Sequence, residues 1–345
     1  MKKHSLLPLL AAVPCLAWGS PASEETAPLA SFGEQLVLPT YESLAEETSA
    51  FLKAAQAAAA APSADTVTKA RQAWKEARIP WERSEAFLFG PVDTEGHDPY
   101  IDSWPVNVTD LQKVIDAETG PAEIEAATVE SFNEGLRGFH VVEYLLFADA
   151  DGNPASAKAV ADALKSSPRR AAYLVAASEA LEAQAAALLA DYAPGQGDFI
   201  GVIASAGDGS EVYLTRGAAL SDIANALAGI AEESSQVKLL APATEGDTSI
   251  LESRFSENTL QDVSDNIEGI RRAAELVIYP VLTDDALKER LNQAILLYQS
   301  RVKSIPSDFN TNPAAYLEAV KQAAEAGAAV QAILEDEVVP EMRSA

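Results

Sequence analysis

The chain has 345 residues, 48% of them hydrophobic but only 7% aromatic, and 52 acids against 25 lysines and arginines give a formal charge of −27. Such a charge argues against nucleic acid or an anionic membrane surface as a partner, because both repel it, and it suits cations. Solubility or a saline habitat would also account for it.

The first twenty-odd residues predict an export signal. Lys2 and Lys3 form a basic start, Leu6 to Trp18 an apolar run, and small residues then allow cleavage after Gly19 or Ala22. The run is too short to span a bilayer, and nothing later approaches about 20 unbroken apolar residues. The chain is therefore expected to be exported and not transmembrane: periplasmic, or associated with the outer membrane or surface. Cys15, the only cysteine, is a poor lipidation site, since Pro14 stands where a small residue is expected. Removing residues 1–22 takes away two lysines and no acid, so the charge falls from −27 to −29. No cysteine remains, and packing alone must hold the fold.

Beyond the signal, apolar residues recur at three and four spacing almost everywhere, which predicts helix after helix. Residues 32–61 form the first, stopped by Pro62. Ser63, Ala64 and Asp65 offer caps for a second, which runs through Trp74 and Trp81 to about Phe89 with a kink expected at Pro80. Residues 90–105, rich in Asp, Gly, His and Pro, are expected to be a long irregular loop. Helices resume near Val108, and residues 130–147 form a helix carrying Gly138, His140 and Glu143. The run from Asp149 to Pro154 is a strong break, dividing an N-terminal bundle (23–150) from a C-terminal one (151–345). Further helices are expected over Pro168–Tyr192, 213–240, 259–277, 284–304 and 313–335, with a Gly-rich loop over 194–209 and another over 240–259. No stretch alternates with period two. The expected class is all-α, two packed antiparallel helix bundles with almost no sheet.

The segment from Gly138 to Phe147 is apolar on all sides except for His140, Glu143 and Tyr144. A spacing of three sets His140 and Glu143 on one helix face, where burial is costly unless they pair or bind something. A shared metal ion and a plain His–Glu hydrogen bond fit this equally well, and Gly138 could serve close packing. Only His97 and His140 remain in the mature chain, so the zinc-peptidase signatures are missing. One imidazole with several carboxylates suits iron, manganese or calcium at least as well as zinc. Glu85 lies one turn from Trp81 toward an apolar face, whereas Glu82 and Arg83 read as solvated or mutually paired. Asp102 sits among Tyr100, Ile101, Trp104 and Pro105, and Asp93, Glu95 and Asp98 read as exposed loop residues.

The ordered set from Trp81 to Phe89, Gly90-Pro91, Ile101 to Pro105, the Gly138/His140/Glu143 motif, and the second-half run from Ser253 to Asp262 with Asn266 and Gly269 resembles the imelysin-like family over nearly the whole mature chain. It is also similar to the periplasmic component of ferrous-iron uptake systems. The resemblance implies two helical bundles and a metal site of Glu85, Asp102, His140 and Glu143, with Gly138 as the motif glycine. Arg254, Ser256 and Asn258 would stand across the cleft as ligand or supporting groups. It further implies a divalent or trivalent metal cofactor, iron favoured, and partners comprising the metal ion or an iron-bearing ligand and other iron-uptake components. The expected function is metal binding in iron acquisition. The alternatives are a metallopeptidase working through Glu143 and a non-catalytic interaction protein with a structural His–Glu pair. Ser103, Trp104 and Pro105 depart from the extra acids that uptake-system relatives carry after Asp102.

Overall fold

The computed structural model describes residues 27–117 and 123–345. The export signal and Cys15 lie outside the described residues. Among the described residues the fold is all-α. There is no strand, and one isolated bridge, Ala148 to Pro154, closes the turn at the expected break. No described helix is long and apolar enough to cross a membrane.

Two long helices open the molecule, Leu38–Ala60 and Ala64–Ser84. The second starts where its cap chemistry dictates. Ser63 Oγ accepts from the Thr66 N–H at 3.1 Å, and Thr66 Oγ1 accepts from the Ser63 N–H at 3.0 Å. Such a reciprocal cap contributes about 1 kcal/mol. Pro80 sits inside this continuous helix. Pro168–Tyr192, capped by Ser167, packs along Leu38–Ala60, so the first bundle takes helices from both sides of the break. Arg216–Glu232, Thr259–Ala273, Asp285–Lys303 and Leu317–Ile333 make the second bundle.

The bundles meet where Ala64–Ser84 crosses Thr259–Ala273. Gly269 sets that crossing: a Cβ there would land on the Arg83 carbonyl oxygen and lie 3.0 Å from Ala86 Cβ. A residue without a side chain is what lets the two backbones approach.

Four helices contain a π-helical stretch: Gly33–Val37, Glu233–Leu240, Ala274–Ile278 and Leu334–Val338. A proline stands two residues after each, namely Pro39, Pro242, Pro280 and Pro340. A proline ring clashes with the carbonyl four residues earlier and donates no bond to it. In all four cases that carbonyl lies inside the π stretch, whose wider turn gives the ring room.

Four expectations need correction. The loop expected over 240–259 opens with the helix Ala241–Glu245 and the turn Thr248–Ile250. Residues 90–105 are not an unstructured loop: Pro91–Thr94 and His97–Asp102 are short helices. The Gly-rich segment 194–209 likewise holds the helix Phe199–Ala204. The motif helix begins at Phe139 rather than near 130, because Gly138 breaks the chain with φ 85° and ψ −171°. Ahead of it come only Ala126–Glu130 and a single turn, Glu134–Leu136.

Candidate metal centre

His140 and Glu143 lie on the short helix Phe139–Phe147, buried over its whole length. Both ends of this helix are fixed by other elements. Trp74 Nε1 donates to the Phe139 carbonyl at 3.1 Å. At the far end the buried Arg170 donates to the carbonyls of Tyr144, Leu145, Ala148 and Asp149, placing a cation where a helix carries its negative end. A Cβ on Gly138 would collide with the Ile101 carbonyl oxygen and stand 2.8 Å from that of Tyr100. The glycine therefore lets His97–Asp102 press against the start of the motif helix and brings Asp102 to His140.

The two ring nitrogens of His140 have different surroundings. Nδ1 meets Glu143 Oε2 at 3.1 Å. Nε2 lies 3.1 Å from Asp102 Oδ1 and 3.8 Å from Glu252 Oε1, yet off the line of a hydrogen bond. Among the described residues it is a buried ring nitrogen without a hydrogen-bond partner, lying beside two carboxylates. Asp102, His140 and Glu252 place one donor atom each within 4.8 Å of one another, and Glu82, Glu85, Asp102 and Glu252 do the same beside them.

Around these groups runs a buried ionic network. Arg78 pairs with Asp102, Glu82 and Glu252, the last at 3.1 Å, and its Nε is 3.7 Å from Asp262 Oδ1. Lys238 Nζ reaches Glu85 at 2.6 Å, Glu252 at 3.0 Å and Glu82 at 3.3 Å. Asn266 Nδ2 donates to Glu85 and Glu82 at 2.6 and 2.8 Å. Six carboxylates (Glu82, Glu85, Asp102, Glu143, Glu252 and Asp262) thus share one buried region with Arg78, Lys238 and His140. Negative charge exceeds positive even with the imidazole protonated, and burial makes such an excess expensive.

Titration reflects this crowding. Burial disfavours the charged form of His140, but Asp102, Glu143 and Glu252 more than reverse that and hold its pKa well above the ordinary imidazole value. Burial also works against Asp102, yet Arg78 and His140 keep its carboxyl well below the usual range. Glu85 goes the other way, raised well above a normal glutamate by burial in spite of Lys238. Burial raises Asp262 to about 6 against the pull of Arg78.

The residues expected from sequence take up distinct positions. Asp102 and His140 come together. Glu85 opens the single turn Glu85–Phe87 and sits one carboxylate further along, on Lys238 and Asn266. Glu143 does not face the Nε2 side. Its Oε1 accepts from the N–H groups of Phe255 and Ser256 at 2.9 and 2.8 Å and from Ser256 Oγ at 2.8 Å, while Oε2 holds His140. Both oxygens are engaged, so its work is to orient the imidazole and tie the motif helix to the 253–258 turn. Ser256 is part of that tie. Asn258 instead donates to Asp262 at 2.8 Å, and Arg254 lies over the Phe255 ring, 4.3 Å from its centre.

Glu82 is the clearest correction. It is fully buried in the network and not solvated, while Arg83 pairs with Asp265 at 2.9 Å. His97 is spent on Asp191 and Gln184, each at 2.8 Å. Arg78, Lys238 and Glu252 were missed outright. The heptad-like position of Arg78, one turn before Glu82 and one after Trp74, was the available signal.

A family model described as Imelysin, of the Peptidase_M75 type, matches residues 37–339. The chain belongs to the imelysin family. The curated "Iron-regulated protein A" of Synechococcus elongatus is 30% identical over 322 residues, covering 90% of this chain and 84% of that one. Among solved structures, an iron-regulated protein A precursor from Parabacteroides distasonis superposes with a TM-score of 0.76 at 23% identity, covering 94% of this chain and 96% of the other. An imelysin-like protein from Psychrobacter arcticum gives 0.72 at 16% identity, covering 92% and 95%. These last two establish the imelysin fold, and the site stands on its own geometry.

Proposed function

We propose that this imelysin binds a metal cation, iron foremost, at Asp102, His140 and Glu252, and serves iron acquisition as an exported protein in the periplasm or at the surface. One observation carries the reading: His140 Nε2 is buried, has no hydrogen-bond partner among the described residues and lies beside two carboxylates in a region already rich in negative charge. A cation there would satisfy the nitrogen and offset the excess. The donor set of one imidazole and two carboxylates suits iron or manganese. Iron is favoured by the iron-regulated relatives, and export by the signal-like start of the chain.

The cavity bordering His140, lined also by Trp104, Glu143, Arg254 and Phe255 but by neither Asp102 nor Glu252, measures about 10 Å³, room for roughly one water. That leaves no room for a peptide beside the imidazole. Glu143, the base a metallopeptidase would need, lies on the Nδ1 side of the ring, away from Nε2, and its other oxygen is held by three donors. Capture therefore fits better than proteolysis.

Titration of the protein lacking residues 1–22 with Fe(II), Fe(III), Mn(II), Zn(II) and Ca(II) tests the proposal. Iron or manganese should bind at one site, and His140→Ala/Glu252→Gln should weaken it at least about a hundredfold, since loss of even one supporting partner of a ligand costs about 10–100-fold. Equal binding by the double variant would reduce His140 and Glu143 to a structural pair.

A further inference from the structure

The 253–258 turn has a second face, turned away from Glu143. There, clefts of about 530 and 390 Å³ meet along Pro154, Phe255 and Glu257. Arg71 and Lys75 line the larger one and Arg254 the smaller, and Glu257 is the single acid lining either. Three cations to one acid is the reverse of the whole chain, at −27.

Among the described residues none of the three cations forms an ion pair with a carboxylate, although Glu143 and Asp247 lie near enough to Arg254 to act on its charge. Arg71 donates to the carbonyls of Leu146 and Ala155 at 2.8 and 2.7 Å and lies 4.7 Å above the Phe147 ring. Lys75 donates to the Ser256 carbonyl at 3.1 Å, and Arg254 rests on Phe255. Arg71, Lys75 and Arg254 are half-buried. Burial pushes the Arg71 guanidinium below its ordinary pKa, a cost that an anion would offset.

We propose that these joined clefts bind a small metal chelate bearing several carboxylates. The inference rests on the metal-capture reading and names the form in which the ion arrives. The larger cleft has the volume of a small-ligand pocket, about 300–1,000 Å³. Arginine forks match carboxylates: Arg254 offers one, while Arg71, with Nε and Nη2 on backbone carbonyls, adds its charge on the other side of Phe255. The clefts are also wired to His140. The Ser256 carbonyl accepts from Lys75, while its N–H and Oγ hold Glu143, which seats the imidazole. A chelate lying on the turn therefore bears on the residue that takes the ion.

Calorimetry with citrate, ferric citrate and inorganic phosphate tests this on the protein lacking residues 1–22. Citrate and ferric citrate should bind, phosphate at least about tenfold more weakly. Lys75→Gln/Arg254→Gln should lose at least about tenfold in citrate affinity with its melting temperature kept, and Lys75→Arg should retain binding. His140→Ala/Glu252→Gln should still bind citrate while losing free Mn(II). Citrate binding that is absent, matched by phosphate or indifferent to Lys75 and Arg254 overturns the chelate site and leaves metal capture standing. If His140→Ala/Glu252→Gln binds Mn(II) like the parent, metal capture falls and the chelate assignment with it, leaving a plain anion cleft.

Discussion

Gly138 occupies a backbone region open essentially to glycine, with two carbonyl oxygens where a side chain would begin. Gly138→Ala should therefore destabilise the protein by roughly 2–4 kcal/mol, read as a lowered denaturation midpoint. A change below about 0.5 kcal/mol would mean that His97–Asp102 does not depend on that contact. Asp98 is raised to about 6, chiefly by burial and then by Asp102 and Glu233. An acid whose pKa is higher folded than unfolded binds its proton more tightly in the folded state, so its charge weakens the fold above pH 6 and the penalty fades as pH falls toward 4. Asp98→Asn should melt higher than the parent at pH 7.5, and the gap should close by pH 4. A gap independent of pH would contradict this. At the same scale, His140 and Glu143 were legible because three-residue spacing is local. Glu252, Arg78 and Lys238 were not, because what buries an ion pair is a partner 153 to 174 positions away.

The π stretches matter most where one carries a buried charge. Pro242 forces room around the carbonyl of Lys238 itself, and the widened turn there aims the ammonium at Glu82, Glu85 and Glu252. Pro242→Ala removes the cause. If the stretch relaxes to an α-helix, the register slips and Lys238 leaves its carboxylates, a loss of roughly 3 kcal/mol. Pro340→Ala, behind a stretch whose buried residues Leu334 and Val338 are apolar, should be nearly neutral. Equal effects on denaturant midpoints would remove the link between Pro242 and the site. Element boundaries were readable where a cap or a proline spoke locally, as at Ser63 and Pro168–Tyr192. They were missed where tertiary contact decided them. Gly138 begins a helix because of what lies against it, and His97–Asp102 is helical although its composition reads as loop.

For the whole molecule, the class was legible because 3.6-residue periodicity needs no partner, and the meeting of the bundles was not, because it depends on Gly269 fitting under Arg83. The charge excess at that junction makes binding sensitive to protons. His140, with its pKa held well above the ordinary value, keeps its proton at neutral pH, and an ion must displace it. Mn(II) should raise the melting temperature more at pH 8 than at pH 6 and release about one proton per ion, measured by calorimetry in buffers of different ionisation enthalpy. A gain unchanged across that range would place the ion away from His140.

The proposed ligands stand at positions 102, 140 and 252, and the residues that steady them run from Arg78 to Asn266. No shorter stretch of chain contains them all. A nascent or unfolded chain, or either half alone, has scattered carboxylates and nothing that would single out one ion. Loading of the proposed ion would then be the last event in the making of this protein, and whatever compartment completes the fold would also decide which metal is on offer.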